Sequence, residues 1–257
     1  MVATTRSAAR AGEMRQSGIE PVVCDVLEPA SLKALPVADT VVYCVGFDRT
    51  ADRPMREIYV AGLRNVLATL PPPGRLIYVS STGVYGHSQG EEVDEDAATE
   101  PVEESGRVVL EAERLLHERL PGAVVLRFAG IYGPGRLLRR QAIQAGEPLV
   151  GDPDKWLNLI HVDDAAAAVV AAAERARPGA VVNVADDRPV RRREFYALLA
   201  RLLSAPEPRF VPPTPGAPPP GHERTNRRIV NRRLRTELGM PLQYPSCAEG
   251  LPASVGD

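Results

Sequence analysis

The 257-residue chain carries 31 Lys+Arg against 33 Asp+Glu, a formal net charge of -2, and 44% hydrophobic residues. That is enough apolar material for one large domain, or one domain with a small appendage. The balanced charge gives no reason to expect nucleic acid or a membrane surface as partner, and no apolar run approaches the roughly 18 residues of a membrane span. Cys24, Cys44 and Cys247 form neither a CxxC pair nor an even framework, which points to a reduced, cytoplasmic compartment. In chain order, residues 1–5 read as the end of a strand, and residues 22–26 as a buried strand turned at Glu28-Pro29. Residues 31–35 form a helical turn, and 40–46 a second buried strand stopped by Gly46. Residues 58–70 carry helical spacing up to Pro71-Pro72-Pro73-Gly74, and 76–80 form a strand. A helix over 107–120, a strand over 123–127, a helix over 163–176 and a strand over 181–184 follow. The proline-dense stretch 205–221 reads as an irregular connection, and 226–238 as a helix ended by Gly239. Near-continuous apolar strands alternating with amphipathic helices predict an α/β, doubly wound parallel sheet covered on both faces.

Four stretches bear on function: Tyr78-Val79-Ser80-Ser81-Thr82-Gly83-Val84-Tyr85-Gly86, Leu126 through Arg136, Asn158-Leu159-Ile160-His161-Val162-Asp163-Asp164, and Asn183-Val184-Ala185-Asp186. In order and spacing they resemble the extended short-chain dehydrogenase/reductase superfamily, the NAD-dependent epimerase/dehydratase group. The closest likeness is to its atypical members with altered active-site residues. The resemblance implies a Rossmann-like NAD(P)-binding domain over residues 1–185 and a small C-terminal substrate-side region over 186–257. It implies a small-molecule substrate, in some members nucleotide-sugar-like, and a monomer or homodimer. Arg6, with Ser7, follows the strand whose end selects the ribose, and a guanidinium there favours NADP over NAD because its fork matches phosphate oxygens. Asp25 and Val26 resemble the pair lining the adenine pocket, although Asp25 equally suits a carboxylate tying the loop before Ser31. Cys44, Val45 and Gly46 resemble the strand that backs the adenine ribose, Gly46 doubling as a strand terminator. Ser80, Ser81 and Thr82 stand where a strand end meets ligand, Ser80 on the cofactor side and Ser81 or Thr82 toward substrate. An arginine of Asn226-Arg227-Arg228 is placed to face a substrate phosphate.

Two departures qualify this likeness. No glycine-rich phosphate loop precedes Arg6, so the chain reads as starting within the second strand of the fold, with the first βα unit missing. NADP, or NAD, is then expected to bind only if that loop is supplied; the alternative is a protein that closes its sheet differently and binds no pyrophosphate. In addition, the Tyr-x-x-x-Lys pair whose ammonium lowers a phenol pKa is absent. Ser105 and Val109 stand at the matching positions, and the chain's two lysines, Lys33 and Lys155, have no tyrosine four residues before them. Ser81, Thr82 and Ser105 are the catalytic candidates, and Tyr85 and Tyr132 the tyrosines available to substitute. The expected function is an oxidoreductase or epimerase of this family, the alternative a non-catalytic dinucleotide sensor. The four histidines lack ligand spacing, so no metal is expected. Asp163 or Asp164 is expected to cap the helix after His161, and the arginine clusters at 191–193, 227–228 and 232–233 read as solvated faces.

Overall fold

Aliphatic runs become strands and amphipathic segments become covering helices in the computed structural model, which describes residues 1–47, 53–214 and 224–256. The chain begins with β1 (Val2–Thr5), α1 (Ala8–Gln16), β2 (Glu20–Val23), α2 (Pro29–Leu32) and β3 (Thr40–Tyr43). A π-helical turn (Glu57–Ala61) runs into α3 (Gly62–Thr69), followed by β4 (Arg75–Ser81), a 3-10 turn (Thr82–Val84), β5 (Glu91–Val93) and α4 (Glu104–Arg119). Next come β6 (Val124–Phe128), β7 (Gly130–Tyr132), α5 (Arg140–Gln144), β8 (Leu149–Val150), β9 (Trp156–Leu157), β10 (Leu159–His161) and α6 (Val162–Arg175). The chain closes with β11 (Val181–Val184), β12 (Val190–Arg191), α7 (Arg192–Leu202), β13 (Phe210–Val211), β14 (Arg227–Ile229), α8 (Arg232–Thr236) and α9 (Cys247–Val255).

The central sheet is parallel, in the order β11-β6-β4-β3. Every residue of β6 is buried, as expected of a strand covered on both faces. On one face α6 packs Ala165, Ala168 and Ala172 against Ile77, Leu126 and Val182; the small residues let the helix lie close to the strands. On the other, Leu63, Val66, Val108, Ala112 and Leu116 of α3 and α4 pack on Leu76, Tyr78 and Val125. β1 and β2 form a separate parallel pair. Among the described residues β1 pairs with β2 alone, and β3 with β4 alone. The fold is α/β, with parallel strands joined through helices.

A further apolar cluster brings Tyr132, Ile143, Leu149, Phe195, Leu199 and Leu251 together from β7, α5, β8, α7 and α9. Three expectations need correction here. Residues 226–238 are not one helix: β14 runs parallel to β5, with Arg227 opposite Glu91, and only Arg232–Thr236 is helical. The Asn158 side chain holds the strand extended, donating to the Arg227 carbonyl at 2.9 Å and accepting from Ile229 N at 2.6 Å. The proline-dense connection contains β13, which pairs with β8; residues 215–221 of it lie outside the described residues. The 191–193 cluster is not merely solvated. It opens α7, Arg192 is buried, and Arg191 stacks on Trp156 at 3.8 Å.

Candidate functional site

In parallel α/β sheets ligands bind beyond the carboxyl ends of the strands, and most of the candidate residues gather there. β4 runs into the 3-10 turn through Ser81, whose Oγ accepts from Gly83 N at 3.0 Å and so caps the turn. Thr82 is buried, and its carbonyl accepts from Tyr85 N at 3.2 Å and from Arg227 Nη2 at 2.8 Å. The first turn of α4 presses onto this loop. A Cβ on Gly106 would lie 2.3 Å from the Gly83 carbonyl oxygen and 2.8 Å from Pro101 Cβ, so only glycine allows the approach. Ser105, next to it, is exposed in that first turn, while Val109 is buried. Ser81, Thr82 and Ser105 thus belong to adjoining segments of one loop-helix junction.

A buried polar chain lies beneath the loop. Ser80, expected at the cofactor, instead donates its hydroxyl to Glu113 Oε1 at 2.5 Å. Arg127 on β6 grips the same carboxylate through Nε at 3.1 Å and Nη2 at 2.7 Å. Burial works against the Arg127 charge, yet the hydrogen bonds and charge of Glu113 hold its pKa above the usual value. Arg127 Nη1 donates to Tyr85 Oη at 2.9 Å, and Tyr85 donates onward to Asn183 Oδ1 at 2.9 Å. Asn183 N donates to Glu95 Oε1 at 2.9 Å. Tyr85 and Tyr132 are fully buried, and burial raises both phenol pKa values. Neither can replace the missing base: Tyr85 is held at both ends, and Tyr132 is sealed with its oxygen 3.4 Å from the Ser246 carbonyl. The helix after His161 is capped differently from expectation. His161 itself accepts from Asp163 N through Nδ1 at 3.3 Å, and burial keeps its pKa low. Asp164 is buried and accepts from Gln243 N and Tyr244 N.

The cofactor-side candidates follow three other strands. Arg6 is exposed directly after β1. Ser7 is the N-cap of α1 and accepts from Arg10 N at 3.3 Å, satisfying one of the helix's free amide donors. Asp25 follows β2 and ties its own loop, Oδ1 accepting from Leu27 N at 2.9 Å, while its backbone N–H donates to Ser31 Oγ at 3.0 Å. Val26 packs against Gly62, at whose position a Cβ would meet Val26 Cγ2 at 2.7 Å. Cys44 is exposed, Val45 half-buried, and Gly46 exposed after β3. A Cβ added to Gly46 would meet nothing within 4 Å, so the packing of the described residues does not require glycine there.

In the region expected to face substrate, β14 carries Arg227 and Arg228. Arg228 pairs with Glu92 at 3.2 Å, Arg224 with Glu103 at 3.2 Å, Arg232 with Asp94 at 3.3 Å, Arg233 with Asp96 at 2.5 Å and Arg235 with Asp187 at 3.8 Å. Arg227 has no such partner among the described residues. Its Nη2 meets the Thr82 carbonyl, and its Nε is buried without an acceptor. Burial lowers its pKa to about 10. Glu113 was missed from the sequence, while Asn158 and Asp186 were named within the four stretches but given no role of their own. Glu113 had a usable signal: it is a carboxylate on the apolar stripe of α4, and Arg127 stands within an apolar strand run. Asp186 is buried, and its Oδ2 meets no donor. No group of three metal-ligating side chains occurs among the described residues, nor does any helix there have the length and apolarity to cross a membrane.

Comparison with known proteins agrees with this geometry. Protein YeeZ of Escherichia coli K12 is 33% identical over 254 residues, covering 94% of this chain and 86% of YeeZ. A Streptomyces 3-diazoavenalumate denitrifying reductase is 35% identical over 156 residues, 56% of this chain and 51% of that protein. Among solved structures, a functionally unknown conserved protein from Silicibacter pomeroyi superposes with a TM-score of 0.77 at 31% identity, covering 98% of this chain and 88% of that one. The dTDP-glucose 4,6-dehydratase DesIV of Streptomyces venezuelae shares the fold, with a TM-score of 0.81 at 20% identity over 99% and 85% of the two chains. The sequence model of the NAD dependent epimerase/dehydratase family matches residues 1–185, and the chain belongs to that family.

Proposed function

We propose that the protein binds NADP in preference to NAD along the carboxyl ends of β1, β2 and β3, and acts on a small molecule at the Ser81–Thr82–Ser105 junction. The observation that carries this reading is the coincidence of Arg6, Asp25 and Gly46, each just past the end of a parallel strand. They supply a cation for a ribose phosphate, a carboxylate with one oxygen outside its own turn, and an open glycine. These fit the adenosine half of a dinucleotide. The described residues contain no glycine-rich turn for the pyrophosphate, so no contact to it is assigned.

When bound, the nicotinamide supplies or accepts a hydride. The chain's own part is orientation and proton handling. Ser81 keeps its hydroxyl proton available to a substrate oxygen, because its Oγ acts as acceptor toward Gly83 N. Ser105 adds an exposed hydroxyl from the facing helix turn. Val109, at the lysine position, contributes no charge. A reductase with a hydroxyl hydrogen bond in place of a phenolate fits these groups, and the name of the 35%-identical Streptomyces relative agrees with reductive chemistry. The substrate is small or nucleotide-sugar-like, held by the C-terminal region over 186–257. The buried chain beneath the loop has no route to solvent for Tyr85, which removes the phenolate mechanism.

Titrating the protein with NADPH and NADH, followed by nicotinamide fluorescence, tests the proposal. NADPH should bind more tightly than NADH, and Arg6→Ala should weaken NADPH about tenfold, as expected of one charge-assisted contact, while leaving NADH unchanged. Equal loss for both nucleotides would remove the phosphate role of Arg6, and no binding of either would sink the cofactor reading.

A further inference from the structure

The Ser81–Thr82–Ser105 junction has no phenol at position 105, and six of the chain's seven tyrosines are engaged elsewhere. Tyr43 and Tyr78 stack at 5.7 Å, almost wholly buried, and their hydroxyls meet no partner. Tyr85 is held at both ends, and Tyr132 is sealed. Tyr196 is buried against Phe195 and Phe210. Tyr244 is half-buried, but its ring lies 4.0 Å from that of His161 and its oxygen accepts from Gln243 Nε2 at 3.1 Å. Tyr59 remains. It is half-buried, and its hydroxyl meets no partner among the described residues.

Tyr59 stands in the π-helical turn Glu57–Ala61, which closes with Gly62 N donating to the Glu57 carbonyl. Such a turn admits an extra residue and re-aims its side chains, often at functional sites. Because β3 and β4 are parallel, the helix between them starts at the carboxyl end of the sheet, where ligands bind. On one side Tyr59 packs against the cluster of Tyr43 and Tyr78. On the other it packs against the cluster that holds Val84, at the end of the 3-10 turn, and Val109, at the lysine position. Two contacts fix the turn. Arg56 grips Glu111 of α4 through Nε at 2.8 Å and Nη2 at 2.6 Å. Gly62 leaves room for Val26, whose Cγ2 a Cβ would meet at 2.7 Å. The turn is thereby held between the Asp25-Val26 loop and the helix that carries Ser105.

A carbonyl carbon and its oxygen are one bond apart, so the proton donor must lie against the same substrate group as the hydride donor. A phenol, which ordinarily titrates at about 10, gives up a proton more readily than a serine hydroxyl. We infer that Tyr59 is the proton donor of this site and delivers its Oη hydrogen to a substrate carbonyl oxygen. This rests on the reading of the junction as a reductive NADPH site. A hydride from NADPH forms the new C–H bond at the carbonyl carbon, the C=O π pair takes the Tyr59 proton to give an alcohol, and NADP+ is left. The phenolate regains its proton from water, since the ring is not closed off from solvent. The reaction starts from the neutral phenol, so no lysine is required at position 109. Ser81 and Ser105 orient the substrate oxygen.

The test is nitration of the full chain by tetranitromethane, with and without saturating NADPH, the modified tyrosines being mapped by mass spectrometry. In the free protein Tyr59 and Tyr244 should be nitrated, and the buried Tyr43, Tyr78, Tyr85, Tyr132 and Tyr196 spared. NADPH, its binding followed in parallel by nicotinamide fluorescence, should slow nitration of Tyr59 at least fivefold and leave Tyr244 within twofold. Tyr59→Phe keeps the ring and its packing, and should bind NADPH within twofold of the wild type. With a panel of small aldehydes, ketones and quinones as substrates, it should oxidise NADPH about a hundredfold more slowly or worse. The loss should fall on kcat with KM little changed, the mark of lost proton transfer rather than lost binding. The assignment is overturned if Tyr59 resists nitration in the free protein, if bound NADPH leaves its nitration unchanged, or if Tyr59→Phe turns over within threefold of the wild type. NADPH binding with Tyr59 unprotected sinks this assignment alone. A wild type that binds NADPH but reduces none of the panel removes the reductive reading and the assignment together, and one that binds no NADPH removes the cofactor reading as well.

Discussion

Glu113→Ala should destabilise the protein by roughly 3–5 kcal/mol, because it strands a buried guanidinium rather than simply deleting a contact. Glu113 and Arg127 are both almost wholly buried, and they meet at 2.7 Å. Ser80 and Tyr85 bond to the same pair, so the loss spreads to both ends of the chain beneath the loop. Urea denaturation should show a lower midpoint with an unchanged slope, the mark of lost stability without a change in compactness. Replacing both members by apolar side chains of similar volume, Glu113→Leu with Arg127→Met, should recover most of the loss, since neither charge is then left alone. A loss below about 1 kcal/mol for Glu113→Ala would mean that water reaches Arg127, and the buried chain would not have the role given to it here.

Asp186→Asn should make the protein more stable in neutral and mildly alkaline solution, with a gain that depends on pH. Burial pushes the Asp186 carboxyl up to about 8 from 3.8, and nearby Asp187, Glu249 and Asp164 add to the shift against one backbone hydrogen bond from Arg188. A raised folded-state pKa favours the protonated form. The native protein therefore keeps its full stability from this group below about pH 4 and loses it as pH climbs toward 8, where the charge must be carried in the interior. An asparagine side chain has no charge to carry. The stability difference between variant and wild type should thus grow by about 1.4 kcal/mol per pH unit across this window, reach a few kcal/mol, and level off above it. Denaturant titrations at pH 5, 6, 7, 8 and 9 measure it directly. A difference that does not vary with pH would show that Asp186 is ionised, and solvated, throughout.

The sheet was legible in the sequence because parallel strands covered on both faces are apolar without interruption. The runs at 76–80, 123–127 and 181–184 correspond to β4, β6 and β11 within a residue or two. The helix over 107–120 was legible from spacing alone, apart from its first turn, where Glu104, Ser105 and Gly106 show no apolar period. What escaped reading depended on partners far along the chain. β14 looked helical because its arginines carry no strand pattern; its extended form comes from β5 and from the Asn158 side chain, about seventy positions away. The availability of Tyr85 is likewise decided by Asn183 and Arg127, and that of Ser80 by Glu113. Local propensity carries no information on such pairings. The same holds for α7, whose opening arginines masked the apolar spacing of Phe195, Leu199 and Leu202.

The separation of β1 and β2 from the central sheet has a dynamic consequence. In β1, α1 and β2 the only residue fully withdrawn from solvent is Ala11. Anchorage to the rest of the molecule comes through Val22, only partly buried, and then through Cys24 and Leu32, packed among Tyr43, Val60 and Leu63. A segment with so little buried apolar surface opens at low free energy, well before the molecule as a whole. Amide hydrogens of Val2–Thr5 and Glu20–Val23 should therefore exchange with deuterium orders of magnitude faster than those of β4 and β6, whose release requires near-global opening. Arg6 and Asp25 ride on that soft segment. A dinucleotide held by them would register first as slowed exchange there, ordering the part of the protein that the fold itself holds least firmly.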